Sequence, residues 1–204
     1  MSSGSPGIDP HFDYLHGILR NVPGFTTQAK LDRFEAAEAA EALVKMSADP
    51  VEGNFDSAHL KEIHRRIFQN IHPWAGQFRQ VNMNRLASYP FAVVQFMEQN
   101  LDSTFSELAA EKHLRGLDVD AFASRAGYYL GELNSIHPFR EGNGRTQREF
   151  IRQLAAKASY RINWIRVSRG QMYEASIESH SFGKNAAFAA LIGKAIEPPR
   201  PSDL

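Results

Sequence analysis

The chain has 204 residues, 43% of them hydrophobic and 23% charged, which is the composition of a soluble globular domain large enough to bury a core. Its 23 basic and 23 acidic residues give a formal net charge of +0, so the basic excess of a dedicated nucleic-acid binder is missing and no direct nucleic-acid partner is expected. The sequence contains no cysteine, which excludes disulfides, thiolate zinc sites and cysteine nucleophiles.

The two ends of the chain differ in composition from the rest. Residues 1–8 and 198–204 are rich in Ser, Gly or Pro and are expected to be a disordered N-terminal segment and a flexible tail. No linker divides residues 9–197, which are predicted to form a single domain. There is no apolar run near the roughly 20 residues of a membrane helix and no signal peptide, so a cytoplasmic protein without membrane contact is expected.

Helical patterns occupy most of the chain. Good helix formers fill the first such segment, and apolar residues recur at helical spacing in those that follow. The predicted helices are, in chain order, residues 28–46, a helix capped by Asp56, residues 93–112, a helix capped by Asp118, residues 145–159, a helix opened by a capping box of Ser168 and Gln171, and a last helix capped by Asn185.

Residues 77–92 break the helical period. Val81 and Met83 alternate with polar neighbours, and residues 88–90 are typical of a bend. This alternation predicts a short β-hairpin. The fold class is therefore expected to be all-α, a helical bundle with one small β-hairpin attached.

The sequence HPFREGNGRTQR follows the fourth predicted helix, at residues 137–148. Pro138 stops that helix, and Gly142 and Gly144 suit a backbone with positive φ before the next helix begins at Arg145. A glycine-rich turn that runs into a helix N-terminus predicts an anion site, because backbone N–H groups and the helix dipole favour negative charge there. The turn is not a Walker loop, since it lacks the Gly-Lys-Ser/Thr ending.

Four side chains around this turn suit phosphoryl transfer. His137 can take a proton near neutral pH, and Glu141 is a hard oxygen ligand for Mg²⁺. Arg145 and Arg148 lie three residues apart on the first helical turn, and planar guanidiniums suit phosphate. Each residue alone is more often a structural or solvated side chain. Their joint spacing favours a nucleotide site.

These residues resemble the signature of the Fic family, His-x-Phe-x-Asp/Glu-Gly-Asn-Gly-Arg-x-x-Arg, and match every specified position. The resemblance extends over about residues 55–195 and includes the Trp-Ala-Gly sequence at 74–76 and Arg79 before the hairpin. It implies a Fic-type helical bundle in which the hairpin is a flap that aligns a target protein.

The resemblance also implies a role for each residue of the signature. His137 would be the general base, Phe139 the core anchor of the loop and Glu141 the Mg²⁺ ligand. The implied phosphate-binding residues are Gly142, Asn143, Gly144, Arg145 and Arg148. The first four would hold the α- and β-phosphates of ATP, and the last would hold the γ-phosphate.

Three flap residues, Ser88, Tyr89 and Phe91, would align an extended segment of the target by main-chain pairing. Tyr173, on the helix after the signature, is a candidate for contact with adenine, although an aromatic residue there is also expected in a core. At Val93 the chain departs from relatives that have His after the Phe-Ala pair.

The implied activity is transfer of AMP from ATP, with Mg²⁺, to a Ser, Thr or Tyr hydroxyl of a target protein. The Doc branch of the superfamily instead transfers the γ-phosphate, and its signature usually has Lys where this chain has Gly144, so the glycine favours AMP transfer. Removal of AMP is a further alternative. A non-catalytic binding module is disfavoured, because His137, Glu141 and both arginines are present.

Many Fic proteins carry an inhibitory helix with the sequence Ser/Thr-x-x-x-Glu-Gly/Asn. Ser103 and Glu107 have its spacing, but Leu108 follows, and the Glu-Gly pair at 52–53 has Ala48 in the Ser/Thr position. The chain therefore resembles the branch in which a separate small helical antitoxin supplies the inhibitor. For such stand-alone members the resemblance implies targets that include the ATPase subunits of DNA gyrase and topoisomerase IV.

Overall fold

A computed structural model describes residues 8–86 and 89–198 of the chain. Seven α-helices account for most of this part. They are α1 (Gln28–Ala48), α2 (Ser57–Phe68), α3 (Val94–Ala110), α4 (Val119–Ile136), α5 (Asn143–Lys157), α6 (Arg169–Phe182) and α7 (Ala186–Ala195). The predicted all-α fold class is confirmed.

Three of the four predicted helix caps are present. Asp56 and Asp118 each accept a hydrogen bond from the backbone N–H three residues ahead, at 2.9 and 2.8 Å. Ser168 and Gln171 form the expected capping box. Asn185 stands directly before α7 but does not cap it, because its side-chain oxygen accepts a hydrogen bond from a serine hydroxyl of α6 instead.

Two small antiparallel hairpins complete the described structure. The first pairs β1 (Phe12–Asp13) with β2 (Ile18–Leu19), and the sequence did not predict it, because strands of two residues are too short to show an alternating pattern. The second is the predicted hairpin and pairs β3 (Asn84–Leu86) with β4 (Tyr89–Pro90). We call residues 84–92 the flap.

Some predictions fall on residues that the structure does not describe. Ser88 lies outside the described residues, as do the segments 1–8 and 198–204 except for Ile8 and Pro198, which are exposed and belong to no helix or strand. The single domain at 9–197 stays a prediction. In the described part, every helix falls short of the length and apolar character that crossing a membrane requires.

The centre of the core is α4, which packs against α3, α5, α6 and α7. Its predicted apolar face is buried along its whole length, through Phe122, Ala126, Tyr129, Leu133 and Ile136. The inner face of α5 is equally buried. The loop at residues 137–142 therefore connects two helices whose positions are fixed by the core, and this is what positions the site.

Candidate active site

The loop at residues 137–142 is closed by hydrogen bonds from the first residue of α5. The buried side chain of Asn143 accepts a hydrogen bond from the N–H of Phe139 at 2.9 Å and donates one to its carbonyl at 2.7 Å. Phe139 is 1% exposed, as expected of an anchor. The Asn143 amide thus holds the loop through one donor and one acceptor, and the backbone N–H of this residue stays available to an anion. The helix begins here, two residues before the predicted start at Arg145.

The two glycines of the turn meet different constraints. Gly142 has a φ of 81°, and a Cβ at this position would lie 2.3 Å from the ring of Phe68, so only glycine fits. Gly144 is exposed, and the nearest atom to a Cβ there would be Nη1 of Arg148 at 3.4 Å. The structure therefore requires glycine at 142 and has room for a side chain at 144.

The first turn of α5 leaves backbone N–H groups for an anion. No side chain caps this helix, so the N–H groups of Asn143, Gly144 and Arg145 have no partner within the helix. The N–H of Gly142, also predicted to bind phosphate, donates instead to Oε1 of Glu141 at 2.9 Å. The N–H groups that remain available to an anion are therefore three, at the positive end of the helix dipole, and we call them the cradle.

The guanidinium of Arg148 lies over this turn. Its Nη1 is 3.4 Å from the position that a Cβ on Gly144 would occupy. Its carbonyl accepts a hydrogen bond from Trp164 at 3.0 Å, whereas its guanidinium has no hydrogen-bond or ion-pair partner within the described residues. Burial, followed by the charges of Arg145 and Arg169, lowers the pKa of Arg148, although arginine stays charged at neutral pH. A free cationic fork beside an uncapped helix N-terminus is suited to a polyphosphate.

Arg145 has a different environment from Arg148. Its guanidinium donates to the carboxylate of Glu35 on α1 and lies over the Phe68 ring, 4.8 Å from its centroid. It is also 3.8 Å from Oε1 of Glu141. The Arg145 side chain is thus engaged in structure, and its contribution to the cradle is the backbone N–H.

Glu35 is a site residue that the sequence did not reveal, because 110 residues separate it from Arg145. Its Oε2 also lies 3.1 Å from Nε2 of the buried His72. Burial favours the neutral carboxyl, but the hydrogen bond from His72 and the charge of Arg145 outweigh it and lower the pKa of Glu35. The helix α1 therefore pairs with the first signature arginine, whereas the guanidinium of the second has no partner among the described residues.

His137 has the geometry of a neutral base. It ends α4 in the left-handed conformation, with φ 51° and ψ 62°, and its Nδ1 lies 3.3 Å from the carbonyl of Asn134. Since a carbonyl only accepts, Nδ1 carries the proton and Nε2 keeps its lone pair. Burial, opposed by the Asn134 bond and aided by the charges of Arg85 and Arg79, lowers the pKa of His137 to about 3.

Phe91, at the end of the flap, packs on this base. Its ring stacks on that of His137 with 3.8 Å between centroids and 13° between planes, and it also lies 4.6 Å from the ring of His180, tilted by 40°. Phe91 was predicted to bind the target, but its side chain is 6% exposed. A contact of Phe91 with a target would therefore be made through its backbone, while its ring orients the base.

Arg79 connects the loop to the flap. Its buried guanidinium donates to the carbonyls of His137 at 2.8 Å, Ile136 at 3.1 Å, Val81 at 2.8 Å and Ala92. Burial lowers the pKa of Arg79 to about 10, so it stays charged. In the sequence, only the family resemblance singled out Arg79. Its role is seen in the structure, where four carbonyl oxygens converge on its guanidinium.

A second residue that the sequence did not reveal is His64 on α2, which supports the loop. Its ring stacks on Phe139 at 3.9 Å, and its Nε2 lies 3.1 Å from the carbonyl of Glu141. Its Nδ1 accepts the N–H of Gly76 at 2.8 Å. Burial lowers the pKa of His64 to about 3, so the ring is neutral and its role is structural.

The strands of the flap are tied to α4 and α6. Arg85 donates to the hydroxyl of Ser176 at 2.8 Å and to the side-chain oxygen of Asn134 at 2.9 Å. The Tyr89 carbonyl lies 3.3 Å from Nε2 of His180. The Tyr89 side chain is 36% exposed, which suits the expected contact with a target.

Tyr173 lies on the surface of α6, where it is 59% exposed. This excludes the alternative that it belongs to the core. Its carbonyl accepts a hydrogen bond from Ser176 at 2.7 Å, and the same hydroxyl accepts one from Arg85. Tyr173 therefore stands close to the flap, and its contact with adenine stays a prediction.

Glu141 is exposed beside the cradle, where a metal bound to a nucleotide would lie. Among the described residues there is no group of three or more His, Cys, Asp or Glu that could hold a metal ion. Mg²⁺ commonly takes one or two carboxylates and completes its shell with phosphate oxygens and water. A single carboxylate therefore fits a metal that arrives with the nucleotide and does not fit a permanent protein-bound ion.

The helical bundle, the flap and the phosphate-binding turn beside a neutral histidine together define a Fic-type nucleotide-binding protein. A protein-family model described as "Fic/DOC family" matches residues 54–165 of the chain. The chain belongs to this family.

Curated relatives share the whole length of the fold. The protein adenylyltransferase VbhT of Bartonella schoenbuchensis is 45% identical over 184 residues, a match that covers 90% of this chain and 38% of VbhT. The chain thus spans well under half of that relative. The probable protein adenylyltransferase y4lH of Sinorhizobium fredii is 37% identical, and the match covers 88% of this chain and 91% of y4lH.

Solved structures of Fic domains superpose closely on the chain. The N-terminal Fic domain of a putative cell filamentation protein of Bartonella quintana, with bound ADP, gives a TM-score of 0.86 at 30% identity, covering 92% of this chain and 94% of that one. The BepC protein of Bartonella tribocorum, with bound AMPPNP, gives a TM-score of 0.83 at 27% identity. The match covers 89% of this chain and 93% of that one.

Proposed function

We propose that this protein is an adenylyltransferase that transfers AMP from ATP to a Ser, Thr or Tyr hydroxyl of a target protein. The observation that carries the proposal is the neutral His137 at the start of the loop that leads into the uncapped N-terminus of α5, over which Arg148 holds a guanidinium with no partner among the described residues. The relatives named protein adenylyltransferase support the same activity.

The residues divide the reaction between them. Nε2 of His137 takes the proton of the target hydroxyl, whose oxygen then forms a bond to the α-phosphorus. The bond from the α-phosphorus to its bridging oxygen breaks, and pyrophosphate leaves. The N–H groups of Asn143, Gly144 and Arg145 hold phosphate oxygens, and Arg148 holds the γ-phosphate, so that positioning and charge stabilisation lower the barrier.

Glu141 is the residue that would hold Mg²⁺, as its exposed carboxylate beside the cradle suggests. Bound there with ATP, the ion would offset the negative charge of the phosphates. Tyr173 is proposed to contact adenine from the surface of α6, and Tyr89, with Ser88, to align the target on the flap.

Labelled nucleotides separate this function from its nearest rival. With a cell lysate and α-³²P-ATP, the wild type should label a protein that His137→Ala leaves unlabelled, whereas γ-³²P-ATP should give no labelling beyond that seen with His137→Ala. Transfer of the γ-label would favour the phosphotransferase activity, and no label from either would leave a binding module. The variant Gly144→Lys, whose Cβ would lie 3.4 Å from Nη1 of Arg148, tests whether Lys at this position converts one activity into the other.

Control by a small helical antitoxin is proposed as well. The guanidinium of Arg148 is free in the described part of the chain, and a Glu supplied by another protein would occupy its donors and exclude the γ-phosphate. The isolated chain should transfer AMP without an activator and slow bacterial growth, and His137→Ala should relieve that effect. The ATPase subunits of DNA gyrase and topoisomerase IV are the first targets to assay. An isolated chain that is silent until a terminal helix is deleted would contradict an external inhibitor.

A further inference from the structure

A groove with a volume of about 590 Å³ lies beside the end of the flap, between α3 and α4. Its walls are residues 90–93 of the flap segment, the polar face of α3 with Ser103 and Glu107, and the part of α4 with Glu132 and Ser135. The side chains from α3 and α4 have no part in the nucleotide chemistry proposed above, so the groove has no assigned occupant.

The two carboxylates of the groove differ in their partners. Glu107 accepts hydrogen bonds from Arg125 at 2.8 Å and from the Tyr128 hydroxyl at 3.0 Å. Glu132 is partly buried and has no ion-pair or hydrogen-bond partner among the described residues. Burial, followed by the charge of Glu107, raises the pKa of Glu132. No cation among the described residues pairs with Glu132 to offset these two effects. Such a carboxylate favours a positively charged partner.

The groove lies within reach of the reacting hydroxyl. Ser135 and Ile136 of its wall directly precede His137. Glu132 is five residues before His137 on the same helix, which is about 7.5 Å along the helix axis. An extended segment advances roughly 3.3 Å per residue, so this separation corresponds to about two residues of a target strand.

We propose that the groove binds a lysine or arginine side chain of the target protein, located within about three residues of the modified hydroxyl, with its cationic head on Glu132. The apolar stem of that side chain would lie against Val93, which is 45% exposed at the mouth of the groove. The inference rests on the proposed AMP transfer and deepens it, because it makes Glu132 a specificity-determining residue for the target.

Other occupants fit the groove less well. An apolar side chain would exclude water from Glu132 and leave the carboxylate without a partner. A metal ion lacks ligands, since no group of three potential ligands exists among the described residues and Glu107 is already paired. An acidic side chain would be repelled by both carboxylates.

The test uses short peptides with a central Tyr, Ser or Thr in a neutral background, and Lys, Gln or Glu at each of three positions on either side. Initial rates of labelling from α-³²P-ATP are compared for the wild type, Glu132→Gln and Glu132→Lys. At one or more positions the wild type should prefer Lys over Glu on the order of tenfold, the ratio given by a single favourable charge pair. Glu132→Gln should bring the ratio close to one, and Glu132→Lys should reverse it.

A matched control and a second substrate set keep the outcome decisive. Glu98→Lys makes the same charge change on α3, at an exposed residue outside the groove, and should keep the wild-type preference. Sites labelled in a whole lysate are sequenced in parallel, in case short peptides are poor substrates. Labelled sites with no basic residue enriched nearby, or a preference unaltered in both Glu132 variants, would overturn this inference while AMP transfer stood. Absence of α-label from peptides and lysate alike would instead contradict the proposed function.

Discussion

The signature loop and the flap meet at the same histidine but are built in opposite ways. The loop is fixed by buried contacts, among them the closure by Asn143, the packing of Gly142 on Phe68 and the bond from His64 to the Glu141 carbonyl. The flap is a ladder of two residue pairs with a shifted register, and Tyr89 is partly exposed on it. A preformed loop can hold the phosphates of ATP in one bound conformation, whereas the edge of a short hairpin can receive a target segment through main-chain pairing.

Two residues connect the flap to the signature loop. Arg79 donates to carbonyls on both sides of the junction, and the Phe91 ring covers the base. The flap is therefore anchored to the loop at its root, and Arg85 and Tyr89 tie its strands to α4 and α6. Each prediction below perturbs one side of this comparison.

The largest effect is expected from His137→Ala, which removes the base and leaves the cradle in place. The rate of AMP transfer should fall by about 10²–10⁴-fold, the usual contribution of a general base. The variant should stay folded, although its unfolding free energy should fall by about 0.5–1.5 kcal/mol for the lost ring stack and further for the lost burial of the ring. His16→Ala, an exposed histidine of the first hairpin, is the control, and a His137→Ala rate within a few-fold of it would contradict the assignment.

The rigidity of the loop is tested by comparing its two glycines. Gly142→Ala places a methyl group into the Phe68 ring at positive φ, which should cost roughly 2–4 kcal/mol from left-handed strain and overpacking together. Gly144→Ala meets only a flexible guanidinium and should leave stability unchanged or raise it by up to about 1 kcal/mol. Urea denaturation measures both, and equal losses would show that the loop does not depend on the packing at 142.

The third prediction concerns the contact of α1 with the loop. Glu35→Gln removes the negative charge that pairs with Arg145. The charge-assisted hydrogen bond that is lost is worth about 1.5 kcal/mol. If that energy helps to position the cradle, kcat/KM should fall by roughly tenfold. Glu41→Gln is the matched control, because Glu41 lies on the same helix and pairs with Lys45 at the surface. Equal activities of the two variants would show that Arg145 needs no partner in order to position the cradle.

Helices, caps and the signature could be predicted from sequence because their signals are local. The capping aspartates act three residues away, and the anion site lies within one short segment. Glu35, Arg79 and His64 act over 58 to 110 residues of sequence, and nothing in a local pattern distinguishes them from ordinary charged or buried side chains. The same limit applied to Phe91, which the resemblance assigned to target binding and whose side chain tertiary packing buries against His137.

The smallest change is expected where the two regions touch, in the pH dependence of the base. Burial lowers the pKa of His137 to about 3, so the ring remains neutral as the pH falls from 8 to 5, and kcat/KM should lose nothing through this group. At an ordinary histidine pKa of about 6.5, only about 3% of the base would remain neutral at pH 5.

Phe91→Leu keeps an apolar side chain but removes the stacked ring, which should admit water to the imidazole and raise its pKa toward that ordinary value. The ratio of variant to wild-type kcat/KM should therefore fall from pH 8 to pH 5. Taking the ratio cancels the titration of ATP itself, since both enzymes use the same substrate. A ratio that stayed constant over this range would show that the loop alone keeps His137 neutral and that the flap has no part in setting the base.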